Sequence, residues 1–524
     1  MKHMKPPLLL FIVMSVSLRE LTVSVTGNNV GAYLPTDDIA INCGSSTSST
    51  VDKRNWIGDA DDRSNYSPIE KTHSSVIARA NSSSPTFPGP VPYYTARLSH
   101  SEFAYTFHIT AGPIFVRLHF FPSDYLNFRR ADSFFSVEAA GCTLLRNFSA
   151  SLFSDYTGSA SFYKEFCLNV RADQILNISF TPTPGCLEAY AFVNGIEVVS
   201  MPEHLYYNTP IDSNEGIKFA GQATPYAFGI TYALEMVKRL NVGGQFVGST
   251  GDTGMYRTWE ADEAYVTSSN IGVLPVNETI QLNYIDQAPR YTAPDAVYKT
   301  ARTMGTDKRI NLSYNLTWSI EVDTNFYYFV RLHFCEFQME INKPLDRHFK
   351  IFIDSQMVEE NADVIRWSGK GVPIYRDYAV ALYHSQKKRS NLSVALGAFP
   401  DGGTRYSDAI LNGLEIFKIS NPGENLAGLN PDPVPDYQPV LLLASKGSLN
   451  HSKTKKITIV AGVALGFTGL ALLAFFLYQR GNRGKDSNFR DGMVGFGLLR
   501  EDRVDEDPRV TITVGSVPPR SEQP

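Results

Sequence analysis

The chain is short of several things, and each shortage removes a class of function. Its 524 residues carry 48 Lys and Arg against 53 Asp and Glu, a formal charge of -5. That leaves no basic excess to neutralise a phosphate backbone, which argues against nucleic-acid binding. Cysteine is scarce, with five residues in all, too few for a small disulfide-stapled scaffold. No Cys-x-x-Cys pair and no Cys/His grouping suggests zinc. No Ser/His/Asp motif is evident either, so the reading is a non-enzyme with no cofactor. Charged residues are only 19% of the chain and hydrophobic ones 43%, so it is neither disordered nor collagen-like. What it has is aromatic side chains, 27 Tyr and 32 Phe, beside 38 Gly and 30 Pro. Such a mixture leans toward all-β structure.

Two apolar runs place the chain in a cell. Lys2, His3 and Lys5 precede an apolar run from Leu8 to Leu18, which Arg19 and Glu20 close. We read 1–26 as a secretory signal peptide. The second run, Ile457 to Tyr478, holds 22 residues without a charge. At ~1.5 Å per residue it reaches about 33 Å, enough to span a bilayer as one helix. Lysines and arginines flank both its ends, so the signal sets the orientation: outside before the span, a short cytosolic tail at 479–524 after it. This is a single-pass type I plasma-membrane arrangement. Nine glycosylation sequons, at Asn65, Asn81, Asn147, Asn177, Asn277, Asn311, Asn315, Asn391 and Asn450, all lie between signal and span. Their one-sidedness marks an exported region. Export also permits disulfides among Cys43, Cys142, Cys167 and Cys186, in any of three connectivities.

An internal repeat organises the exterior. Tyr93-Tyr-Thr-Ala-Arg97, Val116-Arg-Leu-His-Phe120 and Val193-Asn-Gly-Ile-Glu-Val198 recur in order as Tyr298-Lys-Thr-Ala-Arg302, Val330-Arg-Leu-His-Phe334 and Leu411-Asn-Gly-Leu-Glu-Ile416. Val116 to Val193 is 77 residues and Val330 to Leu411 is 81. We expect two copies of one β-sandwich or jelly-roll domain, at 28–200 and 226–419, with a linker at 201–225. The middle blocks alternate as strands, with Arg117 and His119 on one face and Arg331 and His333 repeating it. Asn194-Gly195 and Asn412-Gly413 fit tight hairpin turns. Leu234, Val237 and Leu240 share a helical face, which predicts a helix over Tyr232–Asn241, stopped by Gly243-Gly244. The Pro-rich stretch 420–456 reads as a stalk that holds the pair off the membrane.

Several stretches resemble the malectin-like ectodomain of plant receptor-like kinases of the Catharanthus roseus type, the FERONIA group. They include Ile41–Gly44, Asn147-Phe-Ser-Ala-Ser151, Ala191–Val198, Arg239-Leu-Asn-Val-Gly-Gly244, Asn315-Leu-Thr-Trp318, Val330–Cys335 and Asn425-Leu-Ala-Gly428. The likeness runs from about Tyr33 through the span. It implies two tandem malectin-like β-sandwiches that sense the plant cell wall and secreted cysteine-rich signalling peptides, often with a small lipid-anchored co-receptor. It also implies a cytosolic Ser/Thr kinase, and here the sequence departs. After Tyr478 no third glycine completes Gly495-Phe-Gly497, and no Val-Ala-x-Lys, His-Arg-Asp or Asp-Phe-Gly follows. The reading is therefore a real short form or a truncated receptor kinase, with no kinase in this chain.

By the same resemblance, sugar-binding positions fall at Tyr94, Tyr125 and Glu188 in the first copy, and at Tyr298, Phe337, Tyr406 and Asp408 in the second. For any one of these aromatics, packing at a sheet edge is the stronger expectation. The groove between the two domains is the other candidate site. Arg117/His119 and Arg331/His333 would either contact an anionic pectin or form a hydrogen-bonded or solvated strand face; the second is favoured. Asp59, Asp61 and Asp62 do not have the spacing of a calcium loop or a glycosidase pair, and read as a solvated turn. Gly462 and Gly466 offer a close helix contact in the span. The leading function is thus a cell-surface receptor-like protein for pectin-type wall polysaccharide, secreted peptides, or both. With its short tail it would act as a decoy or co-receptor that transmits nothing itself, as a homo-oligomer or a hetero-oligomer with full-length receptors. A membrane-tethered glycan-active enzyme and passive wall adhesion are the competing classes.

Overall fold

The computed structural model describes residues 32–433, apart from 62–63, 71–73, 81–88, 90, 173–174, 208–215, 228, 268–271, 384–386 and 401–402. These belong to one unit, Met1–Asp436. The signal, the span at 457–478, the tail, Asn81, Asn450 and Gly462/Gly466 lie outside the described residues. Among the described residues no helix is long and apolar enough to cross a membrane.

The two repeats share one sheet. From the first come β1 (Asp38–Asn42), β2 (Gly112–Phe120), β3 (Phe162–Val170) and β4 (Gly195–Ser200). The second supplies β5 (Leu234–Asn241), β6 (Phe326–Phe334), β7 (Ile374–Leu382) and β8 (Gly413–Ile419). The order across the sheet is β7-β6-β8-β5-β3-β2-β4-β1. Each repeat thus keeps the same internal order, and the last strand of one abuts the first of the next. At that joint Phe166 pairs with Glu235 and Cys167 with Leu234.

One face of the sheet builds two separate cores. On β2, Ile114, Val116, Leu118 and Phe120 point into the first core, under an outer five-stranded sheet that carries Phe135, Phe148 and Phe180. On β6, Tyr328, Val330, Leu332 and Phe334 point into the second, under the four-stranded sheet of Asn315–Asp323, Arg389–Ala398, Phe349–Ile353 and Gln356–Ala362. The opposite face is buried too. Phe115, Leu234, Phe329 and Phe417 lie there beneath Met201, Leu205, Tyr206 and Met255. The described residues of the stretch expected to be a linker pack into the body: Leu205, Tyr206 and Tyr207 are buried, and Lys218–Phe219 adds a short strand beside β7.

Four local expectations change. Tyr232–Asn241 is not a helix; its residues Leu234–Asn241 form β5. A bulge between Met236 and Lys238 shifts the strand's phase, so Leu234 faces one layer and Leu240 the other. The apolar spacing of three that results imitates a helix. Neither Asn-Gly pair is a hairpin turn. Asn194 carries the chain from the strand Ala191–Val193 straight into β4. Its side chain accepts from Phe121 N at 2.7 Å and donates to Thr95 O at 2.9 Å. Asn412 repeats this with Cys335 N at 2.7 Å and Thr300 O at 2.8 Å. The glycines are there for close approach. A Cβ on Gly195 would meet Pro92 Cβ at 2.7 Å, and one on Gly413 would meet Val297 Cγ1 at 2.7 Å.

The third change concerns the stalk. Its first residues return across the body as a strap. Thr143 N donates to Glu424 O and Leu426 N to Thr143 O, both at 2.9 Å. Leu426 is fully buried in the first core. Asn430 then ties to Ser149 N at 2.9 Å and Asn147 O at 2.6 Å. The strap occupies the outer edge of strand Cys142–Ser149, which would otherwise expose unpaired backbone groups. The fourth change is the absence of any disulfide: Cys43, Cys142, Cys167, Cys186 and Cys335 are all free thiols. Cys43, Cys142, Cys167 and Cys335 are buried in the apolar layers, and only Cys186 is exposed. Burial pushes the Cys43 and Cys167 thiols well above their ordinary range.

Candidate functional site between the two lobes

The buried face of the sheet holds a chain of ion pairs that crosses both repeats. Arg54 pairs with Asp38 and Glu197, and Arg117 bridges Glu197 (3.1 Å) and Glu165 (2.6 Å). Arg239 of the second repeat continues it, to Glu165 at 2.8 Å and Glu415 at 2.8 Å. Tyr206 donates its hydroxyl to Glu415 at 2.7 Å, and Arg331 closes the far end on Asp377 at 2.7 Å. Burial alone would raise the Glu165 carboxyl, but Arg239 and Arg117 outweigh it and hold it below the usual range. For Glu197, Arg54 and Arg117 overcome burial in the same way. Arg117, His119, Arg331 and His333 are therefore inward-facing. Of the expected strand faces the hydrogen-bonded one forms, and it is buried; there is neither a solvated face nor a surface for a pectin contact, because loop residues Met201–Tyr207 and Met255–Trp259 cover this side.

Each repeat also contains the same Arg-x-Trp-x-x-Asp device. Asp59 takes Gly44 N at 2.6 Å, Arg97 at 3.0 Å and Tyr105 OH at 2.6 Å. Asp262 takes Gly243 N at 3.0 Å, Arg302 at 2.8 Å and Trp318 Nε1 at 2.9 Å. Asp59 is thus a buried structural acceptor and not part of a solvated turn. Trp56 and Trp259 each cover a histidine edge-on, at ring distances of 5.5 and 5.4 Å. Those histidines sit in matching relays. Tyr93 OH to His119 is 3.0 Å and Tyr298 OH to His333 is 2.9 Å. His119 to Glu197 is 2.6 Å and His333 to Glu415 is 2.9 Å.

On the opposite face of the sheet, where the two cores diverge, lies a groove of about 660 Å³. That is the size range of small-ligand sites. Its floor is Lys164, Glu235 and Lys418; Phe153 and Tyr156 from the helix Ala150–Thr157 form one wall, and Ile320–Asp323 the other. Phe246 reaches it with 62% of its surface exposed. The charged lining residues are Lys164, Lys238, Arg389 and Lys418 against Glu235, Glu260, Glu321 and Asp323, so charge cancels. They are also paired: Lys164–Glu235 at 2.6 Å, Lys418–Asp323 at 2.7 Å, Lys238–Glu260 at 2.9 Å. Burial would raise the Glu235 carboxyl, but Lys164 and Lys418 lower it. Among the described residues no grouping of three or more His, Cys, Asp or Glu could hold a metal ion.

A malectin-like domain model matches residues 41–419. The chain belongs to the malectin-like family. Receptor-like protein kinase FERONIA of Arabidopsis thaliana is 39% identical over 472 residues, 88% of this chain and 51% of that protein. Receptor-like protein kinase ANXUR1 of the same plant is 35% identical over 473 residues, 88% and 52%. The chain thus spans about half the length of the curated relatives it matches. The crystal structure of plant receptor-like kinase FER superposes with a TM-score of 0.68 at 40% identity, covering 76% of this chain and all of that one. A crystal structure of plant peptide RALF23 in complex with FER and LLG2 gives 0.67 at 40% identity, with the same coverage. The malectin-like body described above is homologous to the FERONIA and ANXUR ectodomains.

Within that malectin-like body the three candidates of the first copy and the four of the second differ in exposure. Tyr125 is buried and donates to Phe121 O at 2.7 Å. Tyr298 is spent on His333, Phe337 is core, and Asp408 is buried on Arg347 at 2.8 Å and Met304 N at 2.8 Å. Tyr94 and Tyr406 are half-buried and Glu188 is exposed. The sequons differ as well. Asn65, Asn147, Asn177, Asn315 and Asn391 are exposed and Asn277 is half-buried. Asn311 is buried, its amide donating to Gly305 O and Ser407 O, both at 2.8 Å, which leaves a glycan no room. The groove's Lys164, Glu235 and Lys418 were missed. So was the Arg-x-Trp-x-x-Asp repeat at Arg54–Asp59 and Arg257–Asp262, although it stands in the sequence as a legible signal.

Proposed function

We propose that this malectin-like body is the ligand-binding exterior of a single-pass plasma-membrane receptor. Its ligand is a secreted cysteine-rich peptide, taken together with a small lipid-anchored co-receptor. The observation that carries this reading is the 40% identity, over the whole solved chain, to FER in a complex with the peptide RALF23 and LLG2. The groove between the lobes is supporting: it is lined by aromatics and its volume suits a few side chains of a larger ligand. Wall polysaccharide is a second reading, carried by Tyr94, Glu188 and Tyr406, the candidates whose side chains reach the surface. The groove itself gives a polyuronate no net attraction, because its charges cancel. No catalytic role is assigned to any residue. The test is size-exclusion chromatography of the glycosylated chain with a RALF-type peptide and an LLG-type co-receptor. Co-elution of all three supports the reading; a chain that elutes alone with peptide and co-receptor both present refutes it.

A further inference from the structure

A latch closes one end of the groove. Tyr156, on the helix Ala150–Thr157 of the first lobe, donates its hydroxyl to Glu321 of the second. The Arg389 guanidinium lies 4.5 Å from the Tyr156 ring and 3.5 Å from Glu321. All three residues line the groove. Tyr156 keeps 39% of its surface exposed and the Glu321 side chain 44%, so the latch stands open to water. An exposed ion pair of this kind contributes little by itself.

The sequon Asn391-Leu-Ser393 begins beside it. Glu321 and Asn391 are direct partners in the antiparallel pairing of Asn315–Asp323 with Arg389–Ala398. Their side chains leave the same face, with Cβ atoms about 4.5–5.5 Å apart. Arg389, two residues earlier on the strand, shares that face. Asn391 is exposed. Among the described residues none hydrogen-bonds its side-chain amide, unlike Asn311, whose amide is taken by two carbonyls. A glycan joined to Asn391 Nδ2 therefore starts within one residue's width of the latch.

We infer that the N-linked glycan of Asn391 lies over the Tyr156–Glu321–Arg389 latch, covering this end of the groove and bracing the first lobe's helix against the second lobe. The chemistry suits the contact. The C–H face of an N-acetylglucosamine packs on a half-exposed tyrosine ring, and its hydroxyl and acetamido groups hydrogen-bond a carboxylate such as Glu321. The sugar is neutral, and the groove's balanced charge does not oppose it. Covering the latch removes water from the pair and strengthens it. Ligands then enter from the other end, beside Tyr265 and Phe246. That end lies near Thr317 and Trp318, where Thr267 N meets Thr317 O at 2.9 Å. At ~3.3 Å per residue it is roughly 13 Å along the strand from Glu321. The inference holds whichever ligand the groove takes.

The test uses the full chain made in plant secretory cells. Asn391→Gln and Ser393→Ala each remove the sequon by a different substitution. Hydrogen exchange is then read on the helix Ala150–Thr157, which neither substitution touches. We expect both variants to speed exchange there by at least about threefold, with Phe349–Ile353 unchanged; that control strand reports a variant that has merely loosened the second lobe. Asn177→Gln, which removes a sequon of the first lobe, should leave the helix unchanged. An unmodified Asn391 in glycopeptide mapping, or helix exchange equal with and without the glycan, overturns the inference.

Discussion

Replacing Glu165 by Gln tests whether the two lobes hold together through buried charge. Glu165 belongs to the first lobe, is fully buried, and joins Arg117 of its own lobe to Arg239 of the other. Gln keeps the shape and one acceptor oxygen but removes the charge. Arg117 retains Glu197 and the Met255 carbonyl, and Arg239 retains Glu415. The pair of guanidinium groups is still left one anion short in a dry layer. Breaking a buried pair this way costs about 3–5 kcal/mol. With ~2.1 cal/mol/K of unfolding entropy per residue over roughly 400 residues, that is a fall in Tm of about 4–6 °C. The assay is calorimetry of the parent, Glu165→Gln and a control, Arg290→Ala, whose exposed pair with Asp295 should matter by no more than about 1 °C. A Glu165→Gln melt within a degree of the parent refutes the reasoning. Splitting of one transition into two would show that this pair also sets cooperativity between the lobes.

Other outcomes follow from the same geometry. Leu426→Ala should cost about 2–5 kcal/mol, as for a leucine removed from a tight core, read as a lower denaturation midpoint; no change would mean the strap is not part of the first lobe's core. Burial holds the His333 imidazole below its ordinary value, so it resists protonation in the fold. Stability should be fully present above about pH 6.5 and begin to fall below it as the unfolded chain takes up protons. Against the cost of burial, Glu165 and Glu197 are held low by their arginines, and Glu415 by the hydrogen bond to His333 and then by Arg239 and Arg257. They add a steeper loss below about pH 4.3. Denaturant titrations from pH 7 to 3 check the shape, and a maximum at or below pH 4.5 contradicts it. A thiol reagent should label one cysteine, Cys186, in the native chain and five after unfolding. Glycopeptide mapping should find Asn311 bare and Asn391 occupied.

Much of the architecture could be read from the sequence, because it rests on repetition and alternation. The blocks around Arg117 and Arg331, in which every second residue is apolar, show two copies and their strands directly. What the pattern hides is which polar residues are inside. Arg117 and Glu165 look like surface residues until a neighbouring strand sets them against each other, and only the fold supplies that pairing. β5 was misread because a single bulged residue turns a period of two into an apparent period of three. Leu426 was lost in a proline-rich stretch because its partner strand lies about 280 residues earlier. For the candidate aromatics the limit is a commoner one: a tyrosine in a loop and a tyrosine capping a buried histidine look alike in sequence, and Tyr298 is the second kind.

The central proposal is that this exterior receives a secreted peptide. Isothermal titration of a RALF-type peptide into the glycosylated chain, with an LLG-type co-receptor present, tests it most directly. The account predicts saturable binding near one peptide per chain that weakens when the co-receptor is left out. Heats of dilution alone, from a chain whose melt shows it to be folded, would contradict it.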